Sequence, residues 1–419
     1  MELGNEAKCY RDTWAEVNLD NIACNVQAVK AQLKPHVKLM AVVKSNAYGH
    51  GALQVAEVAL REGAEYLGVA TLDEALQLRC NKIQAPILVL GHVASEHAFV
   101  AAKHGITLTV VSRNHAEQLS HAVQSFTGHI LKVHLKIDTG MGRLGVRDEH
   151  ELMSVVRSLA HPAIHIEGAF THFAQADSSD QSYSKVQLDT ANALFGRLKN
   201  TLERPERFIL HAANSAGIIQ LSESHLNMVR LGISLYGVYP SLEVDRNKIR
   251  LRQALTLYSR IVHIKDVPAG TSIGYGSTFV TERPSTKVAT VPIGYGDGLP
   301  RSLSNLGYFL VRGTKCPILG RVCMDQVMID VTHALDVEEG DLVTVYNQET
   351  LEQLSALAGT IPYELLCAIS ARVVRTYVHG AHHVSSTPSP ETPSCLSQRV
   401  PQGQQLIDAA SVGATLARD

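Results

Sequence analysis

The apolar run Val37-Lys-Leu-Met-Ala-Val-Val43 ends in Lys44, which is followed by Ser-Asn-Ala-Tyr48-Gly-His-Gly51. Such a run reads as a buried strand, so Lys44 stands at its rim, partly withdrawn from water. Desolvation disfavours an ammonium, and the neutral amine left behind can attack a carbonyl. Pyridoxal phosphate is the cofactor that most often takes such a lysine. A lysine that covers the strand end with its stem and keeps its charge in water would give the same local pattern. Other polar groups also follow apolar runs: Lys136 with Asp138-Thr-Gly-Met-Gly-Arg143, Thr171-His172, His211-Ala-Ala-Asn214-Ser215 and Arg230-Leu-Gly232-Ile233. Each alone reads as a turn, a cap or a surface ion pair; together at successive strand ends they read as one site. Farther along, Tyr275 lies in Ser272-Ile-Gly-Tyr-Gly-Ser277, where flanking glycines let a loop approach a ligand closely. A tyrosine at a β-turn is the simpler reading of that segment taken by itself.

These residues need elements to position them. From residue 37 to 237 the chain repeats an apolar run, a turn and an amphipathic stretch. The apolar runs fall at 37–43, 64–71, 85–91, 106–112, 130–137, 164–170, 207–211 and 227–232. Segments between them, such as 72–79 and 183–195, carry helical periodicity. Eight alternating units over about 200 residues predict a (β/α)8 barrel, whose active site would lie at the C-terminal ends of the strands. A doubly wound open sheet would show the same repetition. Beyond residue 250 glycine and proline punctuate alternating β-branched runs at 256–264, 287–294, 307–312, 327–331 and 341–346, which predicts an all-β second domain. The expected division is a barrel over 11–245, a mainly-β domain over 246–379 and a tail over 380–419. The tail is too polar and proline-rich to pack, although a short helix at Leu406 is compatible with its composition.

The composition narrows the function. With 419 residues, 45% hydrophobic and 19% charged, the chain can bury a large core in two domains. Lys plus Arg number 38 against 40 Asp plus Glu, and a net charge of -2 gives no basic surface for nucleic acid or anionic lipid. No apolar stretch reaches membrane-spanning length, and the first residues lack the apolar core of a signal peptide. The seven cysteines form no CxxC pair and no metal-ligand spacing. These features predict a cytoplasmic protein with reduced thiols and no structural metal.

Residues 11–378 resemble the alanine racemases. The resemblance is carried, in order, by AVVKSNAYGHG, KIDTGMGRLG, THFA, HAANSAG, VRLGISLYG, SIGYGSTF, PIGYGDGLPR, LGRVCMDQ and IPYELLC. It implies a pyridoxal 5'-phosphate enzyme of two bases, Lys44 and Tyr275, acting on opposite faces of the amino acid. Lys44 would also hold the cofactor covalently. Tyr48, Ser215, Tyr363 and the amides of Gly232 and Ile233 would hold its phosphate, with Asn214 beside them. Arg230 would donate to the pyridine nitrogen; related decarboxylating barrels carry an acid there. His172 and His211 would surround the ring and Arg230. Arg143, Tyr295 and the backbone of Met324 would line the substrate's path. Lys136 matches a lysine that is carbamylated in some members.

The expected function is interconversion of L- and D-alanine, with D-alanine supplied to peptidoglycan. In this family Tyr275 reaches the site of a partner subunit, so a homodimer with shared sites is implied. Serine or broad-range racemisation is the alternative within the same chemistry. A non-catalytic pyridoxal phosphate carrier is disfavoured, because such carriers resemble the barrel without the second domain.

Overall fold

The computed structural model describes residues 10–201, 204–380 and 382–384. Its first strand is Thr13–Asn18 (β1). The next eight are Lys38–Val42 (β2), Tyr66–Val69 (β3), Ile87–Val89 (β4), Ile106–Val110 (β5), Leu131–Lys136 (β6), Ile164–Phe170 (β7), Ile209–His211 (β8) and Met228–Leu231 (β9). Every run expected to be a barrel strand is one. They form one parallel sheet in the order β8-β7-β6-β5-β4-β3-β2-β9. β3, β4 and β5 are buried at every position, as strands covered on both faces must be. The sheet closes between β8 and β9 without regular pairing. The Asn227 amide donates to Leu210 O at 3.1 Å and the Arg230 amide to Ala213 O at 3.0 Å. The Asn227 side chain completes the seam by accepting from the Leu210 amide at 3.1 Å. A side-chain oxygen thus replaces the carbonyl that a longer β9 would have supplied.

A bulge sets the inside of this barrel. Val133 on β6 faces Ile166 on β7, but His134 faces Gly168, so Glu167 is an extra residue. Lys132, His134 and Lys136 share one face of β6. Lys132 and His134 both bond the extra carboxylate.

The second sheet has ten strands in the order β11-β14-β17-β16-β15-β18-β10-β1-β19-β20. Its members after β1 are Leu255–Arg260 (β10), His263–Val267 (β11), Thr286–Val291 (β14), Tyr308–Val311 (β15), Thr314–Leu319 (β16), Val327–Asp330 (β17), Leu342–Tyr346 (β18), Val374–His379 (β19) and His382–Val384 (β20). Ser272–Ile273 (β12) and Phe279–Val280 (β13) form a separate small ribbon. Two expectations need correction here. The run 256–264 is two strands, because the Ile261 amide still bonds Asp341 while the Val262 amide bonds Thr290, and the chain changes partners between them. β1 lies within 11–245 yet belongs to the second sheet, antiparallel to β10 and parallel to β19. Its burial alternates, the mark of a half-covered sheet rather than a barrel strand.

No apolar run marks β16 in the sequence, because Pro317 and polar residues interrupt it. It is fixed by a two-residue hairpin in which Arg312 and Gly313 both have positive φ. The last described residues, in β20, pair with β19. The remainder of the expected tail, including the segment at Leu406, lies outside the described residues.

Asparagines fix the first helix and the segment that leads from the barrel to the second sheet. Asn18 caps the helix Leu19–Lys30. Fully buried Asn25 donates to Leu235 O and Arg252 O and accepts from the Arg252 amide at 2.8 Å. Among the described residues no helix is long and apolar enough to cross a membrane.

The bulge makes a direct prediction. A Cβ on Gly168 would fall on the Ile209 carbonyl oxygen and 2.7 Å from His134 Cε1. Gly168→Ala should therefore cost about 1–3 kcal/mol. An unchanged urea midpoint would mean that the strand yields there without loss.

Candidate active site

The strand β2 delivers Lys44 into an unusual turn. Ser45, Asn46, Ala47 and Tyr48 all have left-handed backbone angles, with φ of 53, 52, 53 and 51°. Each such non-glycine residue costs roughly 1–2 kcal/mol relative to a right-handed one. The turn persists because its groups are satisfied. The Ala47 amide donates to Val43 O at 2.9 Å, Gly49 to Ser45 O at 3.1 Å and Gly51 to Asn46 O at 3.0 Å. Asn46 Oδ1 accepts from the Ala52 amide and so opens the following helix, Ala52–Arg61. His50 is fully buried beneath the turn, its Nδ1 within reach of the Ala47 and Tyr48 carbonyls, and burial pulls it down to about 4.

Lys44 and Tyr48 face a cavity of about 830 Å³. Lys136, Arg143, His172, Asn214, Ser215, Arg230, Gly232, Ile233 and Tyr363 line it as well. The barrel rim, with Tyr363 added from the second domain, therefore brings together Lys44 and every residue expected to hold the cofactor, together with Arg143 and Lys136. Burial lowers the Lys44 amine, and the nearby Arg143 charge lowers it further.

One end of the cavity is built from hydroxyls and amides. Ser215 Oγ accepts from the Gly232 amide at 2.9 Å and from Ser234 at 3.3 Å. The Asn214 side chain turns away from these donors. Its Oδ1 accepts from the Gly217 amide and caps the helix Ser215–Gln220. The rings of Tyr48 and Tyr363 lie 6.1 Å apart, one from the barrel and one from the second domain. A Cβ on Gly232 would come 3.3 Å from the Tyr48 hydroxyl and 3.5 Å from Ser215 Oγ, so the missing side chain leaves room among these donors. Such a cradle suits a phosphate.

The other end is a buried guanidinium. Arg230 is 3% exposed. Its NH2 donates to Thr171 O and Ala212 O, both at 2.8 Å, and reaches His172 Nδ1 at 3.2 Å. Its NH1 donates to His211 Nδ1 at 2.9 Å. This leaves His211 Nε2 as the protonated nitrogen, donating to His134 Nδ1 at 2.9 Å. His134 Nε2 in turn donates to Glu167 at 3.3 Å. The three links run one way, from guanidinium to carboxylate, and fix both tautomers.

Burial, then the Arg230 charge, holds His211 and His172 well below the usual histidine range. Burial alone would raise Glu167, but hydrogen bonding to His134 and the charge of Lys132 outweigh it and hold the carboxyl at about 2. Burial brings Arg230 down to about 9, still above neutrality, so it remains a charged donor. Neither His134 nor Glu167 stands out in the sequence. The available signal was Lys132, His134 and Lys136 at alternate positions of a barrel strand.

Lys136 is 5% exposed and lies 4.9 Å above the Phe170 ring. Burial, with Arg230 and Arg143 adding repulsion, pushes its amine down to about 7. Asp138, its nearest acid in the chain, is occupied by the amides of Gly140 and Gly142 at 3.1 and 3.0 Å.

Four expected residues do not line this cavity: His211 lies behind Arg230, bonded to it and to His134, and three more lie in the second domain. Tyr275, Met324 and Tyr295 are 71%, 52% and 43% exposed and line none of it. They occupy neighbouring loops of the second domain. Tyr295 donates its amide to Cys323 O, Gly296 to Met324 O, and a Cβ on Gly276 would meet the Arg321 guanidinium. Among the described residues no group of three or more His, Cys, Asp or Glu could hold a metal ion.

Comparison with known proteins finds similarity over nearly the whole chain. The alanine racemase N-terminal domain family matches residues 17–240, and the C-terminal domain family matches 254–377. The chain is 44% identical over 381 residues to alanine racemase 2 of Oceanobacillus iheyensis, covering 90% of this chain and 96% of that one. Its fold is similar to that of alanine racemase from Clostridium difficile, at TM-score 0.86 and 38% identity over 91% of this chain and all of that one (100%). It is equally similar to the Bacillus anthracis alanine racemase with bound L-Ala-P, at TM-score 0.85 and 39% identity over 91% and 99% of the two chains. With both of its domains matched in order and relatives above 40% identity along nearly their full length, this chain belongs to the alanine racemase family.

Proposed function

We propose that this protein is a cytoplasmic alanine racemase that uses pyridoxal 5'-phosphate and supplies D-alanine for peptidoglycan. The observation that carries the reading is Lys44: a desolvated amine on the wall of a cavity with a phosphate cradle at one end and a charged guanidinium at the other. Bound pyridoxal 5'-phosphate supplies an electron-withdrawing ring that acidifies the α-hydrogen of an attached amino acid. Tyr48, Ser215, Tyr363 and the Gly232 and Ile233 amides would hold the phosphate. Arg230 would donate to the ring nitrogen and, because it keeps its own proton, would leave that nitrogen unprotonated. This weakens the ring as an electron sink and restrains side reactions. His172 and His211 keep the guanidinium in place.

Racemisation needs a proton removed from one face of the α-carbon and another delivered to the opposite face. The Lys44 amine serves one face. Tyr275 serves the other, and its position outside the cavity favours a homodimer in which the partner subunit's Tyr275 completes the site. Tyr295 and Met324 share that exposed face and accompany it. Arg143, on the cavity wall, pairs with the substrate carboxylate or the phenolate.

Lys44→Ala should abolish racemisation. After borohydride reduction, peptide mapping of the native protein should find the cofactor on Lys44; its recovery on another lysine would remove Lys44 from the role. Turnover on a panel of L-amino acids should be greatest on alanine, and a preference for serine would shift the substrate assignment.

Lys136 has a low amine pKa and two cationic neighbours, the setting in which a carbamate is favoured. The neutral amine adds to carbon dioxide, one proton leaves to solvent, and the resulting anion lies against Arg143 and Arg230. Protein equilibrated with 13C-bicarbonate should show one carbamate resonance that is absent in Lys136→Ala. A spectrum without that signal would leave Lys136 an amine.

A further inference from the structure

The left-handed turn after Lys44 is gripped at both ends by side chains that lie outside the cavity. At its start, Glu74 Oε1 accepts from the Ser45 amide at 2.6 Å. The other oxygen of that carboxylate accepts from the Ala70 amide at 2.7 Å and closes a capping box with Thr71 on the helix Leu72–Cys80. At its end, Arg375 Nε donates to Gly49 O at 2.9 Å. Arg375 is 4% exposed, and its remaining hydrogen bonds among the described residues also go to backbone carbonyls: Ser370 O and Val373 O, both at 2.6 Å, and Ile369 O at 2.7 Å. Those carbonyls follow the helix Pro362–Ala368, which carries Tyr363 and ends at Arg375's charge, where the helix dipole favours a cation.

The same contact surface leaves no slack. A Cβ on Gly49 would fall on the Leu366 carbonyl oxygen, and one on Gly51 would fall on the Tyr377 hydroxyl. Both glycines have positive φ, at 84 and 100°. One guanidinium thus fixes the turn that carries Lys44 and Tyr48 to the helix that carries Tyr363. A lysine could not reproduce this, because its single ammonium lacks a planar fork that spans separate acceptors.

We propose that Glu74 and Arg375 are positioning residues: a clamp that holds the strained turn in its left-handed form and so fixes the direction of Lys44 and the spacing of the two cradle tyrosines. The consequence for cofactor rests on the function proposed above.

The test compares Glu74→Ala, Glu74→Gln, Arg375→Lys and Thr71→Ala with wild type as holoenzymes. Thr71→Ala removes the other half of the capping box and leaves the Ser45 anchor intact. Thr71→Ala should lower Tm through the lost cap, and Glu74→Ala, which also loses the Ser45 and Ala70 bonds, should lower it at least as much. Only Glu74→Ala and Arg375→Lys should release pyridoxal 5'-phosphate faster and lose kcat, by roughly 10- to 100-fold, as displaced reacting groups do. Glu74→Gln, which keeps an acceptor for the Ser45 amide, should restore both.

Cofactor retention and kcat that stay at wild-type values in Glu74→Ala, or fall equally in Thr71→Ala, would overturn the clamp. Should Arg375→Lys fail to fold, the Glu74 and Thr71 variants decide the matter. The pH dependence of Lys44 acetylation, followed by peptide mass in protein stripped of cofactor, reads the lysine directly and should shift only in the clamp variants. If wild type traps no cofactor on Lys44, the cofactor assignment fails, and these acetylation profiles still confirm or refute the clamp.

Discussion

A guanidinium buried at the mouth of a barrel is costly unless its donors are met, and Arg230 is met in every direction the described residues offer. Left without partners, a charge so buried would cost several kcal/mol. Two carbonyls and two histidines accept from it, and the chain through His211 and His134 carries its compensation across the barrel interior to Glu167. This arrangement dictates much of the rest. It keeps His172 and His211 neutral. It requires the β7 bulge that supplies Glu167 and the glycine that makes room for His134. It also adds to the burial that pushes the Lys136 amine down to about 7. The charge that is costly to bury thus also lowers the neighbouring Lys136 amine.

The fold supplies two further constraints. Parallel strands place their C-terminal ends on one rim, so residues as distant in sequence as Lys44, Lys136, Ser215 and Arg230 line a single cavity. The second domain is woven into that barrel rather than appended to it. β1 begins the chain inside the second sheet, and Tyr363 reaches the cavity from a helix of that domain. A lysine set on a strained turn at this junction is held by both domains at once.

Most of this was legible in the sequence for physical reasons. Apolar runs closed by turns mark all eight barrel strands, although those at 130–137 and 164–170 are interrupted by Lys, His and Glu. Half-buried strands were harder. β1 alternates buried and partly exposed residues over six positions, and its partners lie more than two hundred residues away, so nothing local announces it. β16 carries a proline, and the register that redeems it is set by its hairpin. In the site, residues that end apolar runs stood out, while His134 and Glu167, inside strands, did not. Glu167 acts only because a bulge shifts the register, and no sequence pattern announces a bulge of that kind. The left-handed turn was equally hidden, since Ser45, Asn46, Ala47 and Tyr48 include no glycine to signal positive φ.

Tyr275 is exposed and lies off the cavity that holds Lys44, so the proposed two-base racemisation calls for a second copy of the chain to bring its Tyr275 to the site. The direct measurement is complementation between two inactive homodimers, Lys44→Ala and Tyr275→Phe. After subunit exchange verified by mass labelling, each mixed dimer has one site with both defects and one with neither. Random exchange makes about half the dimers mixed, and roughly a quarter of wild-type activity should return. Complete exchange with no recovered activity would place both bases within one chain and contradict the shared site.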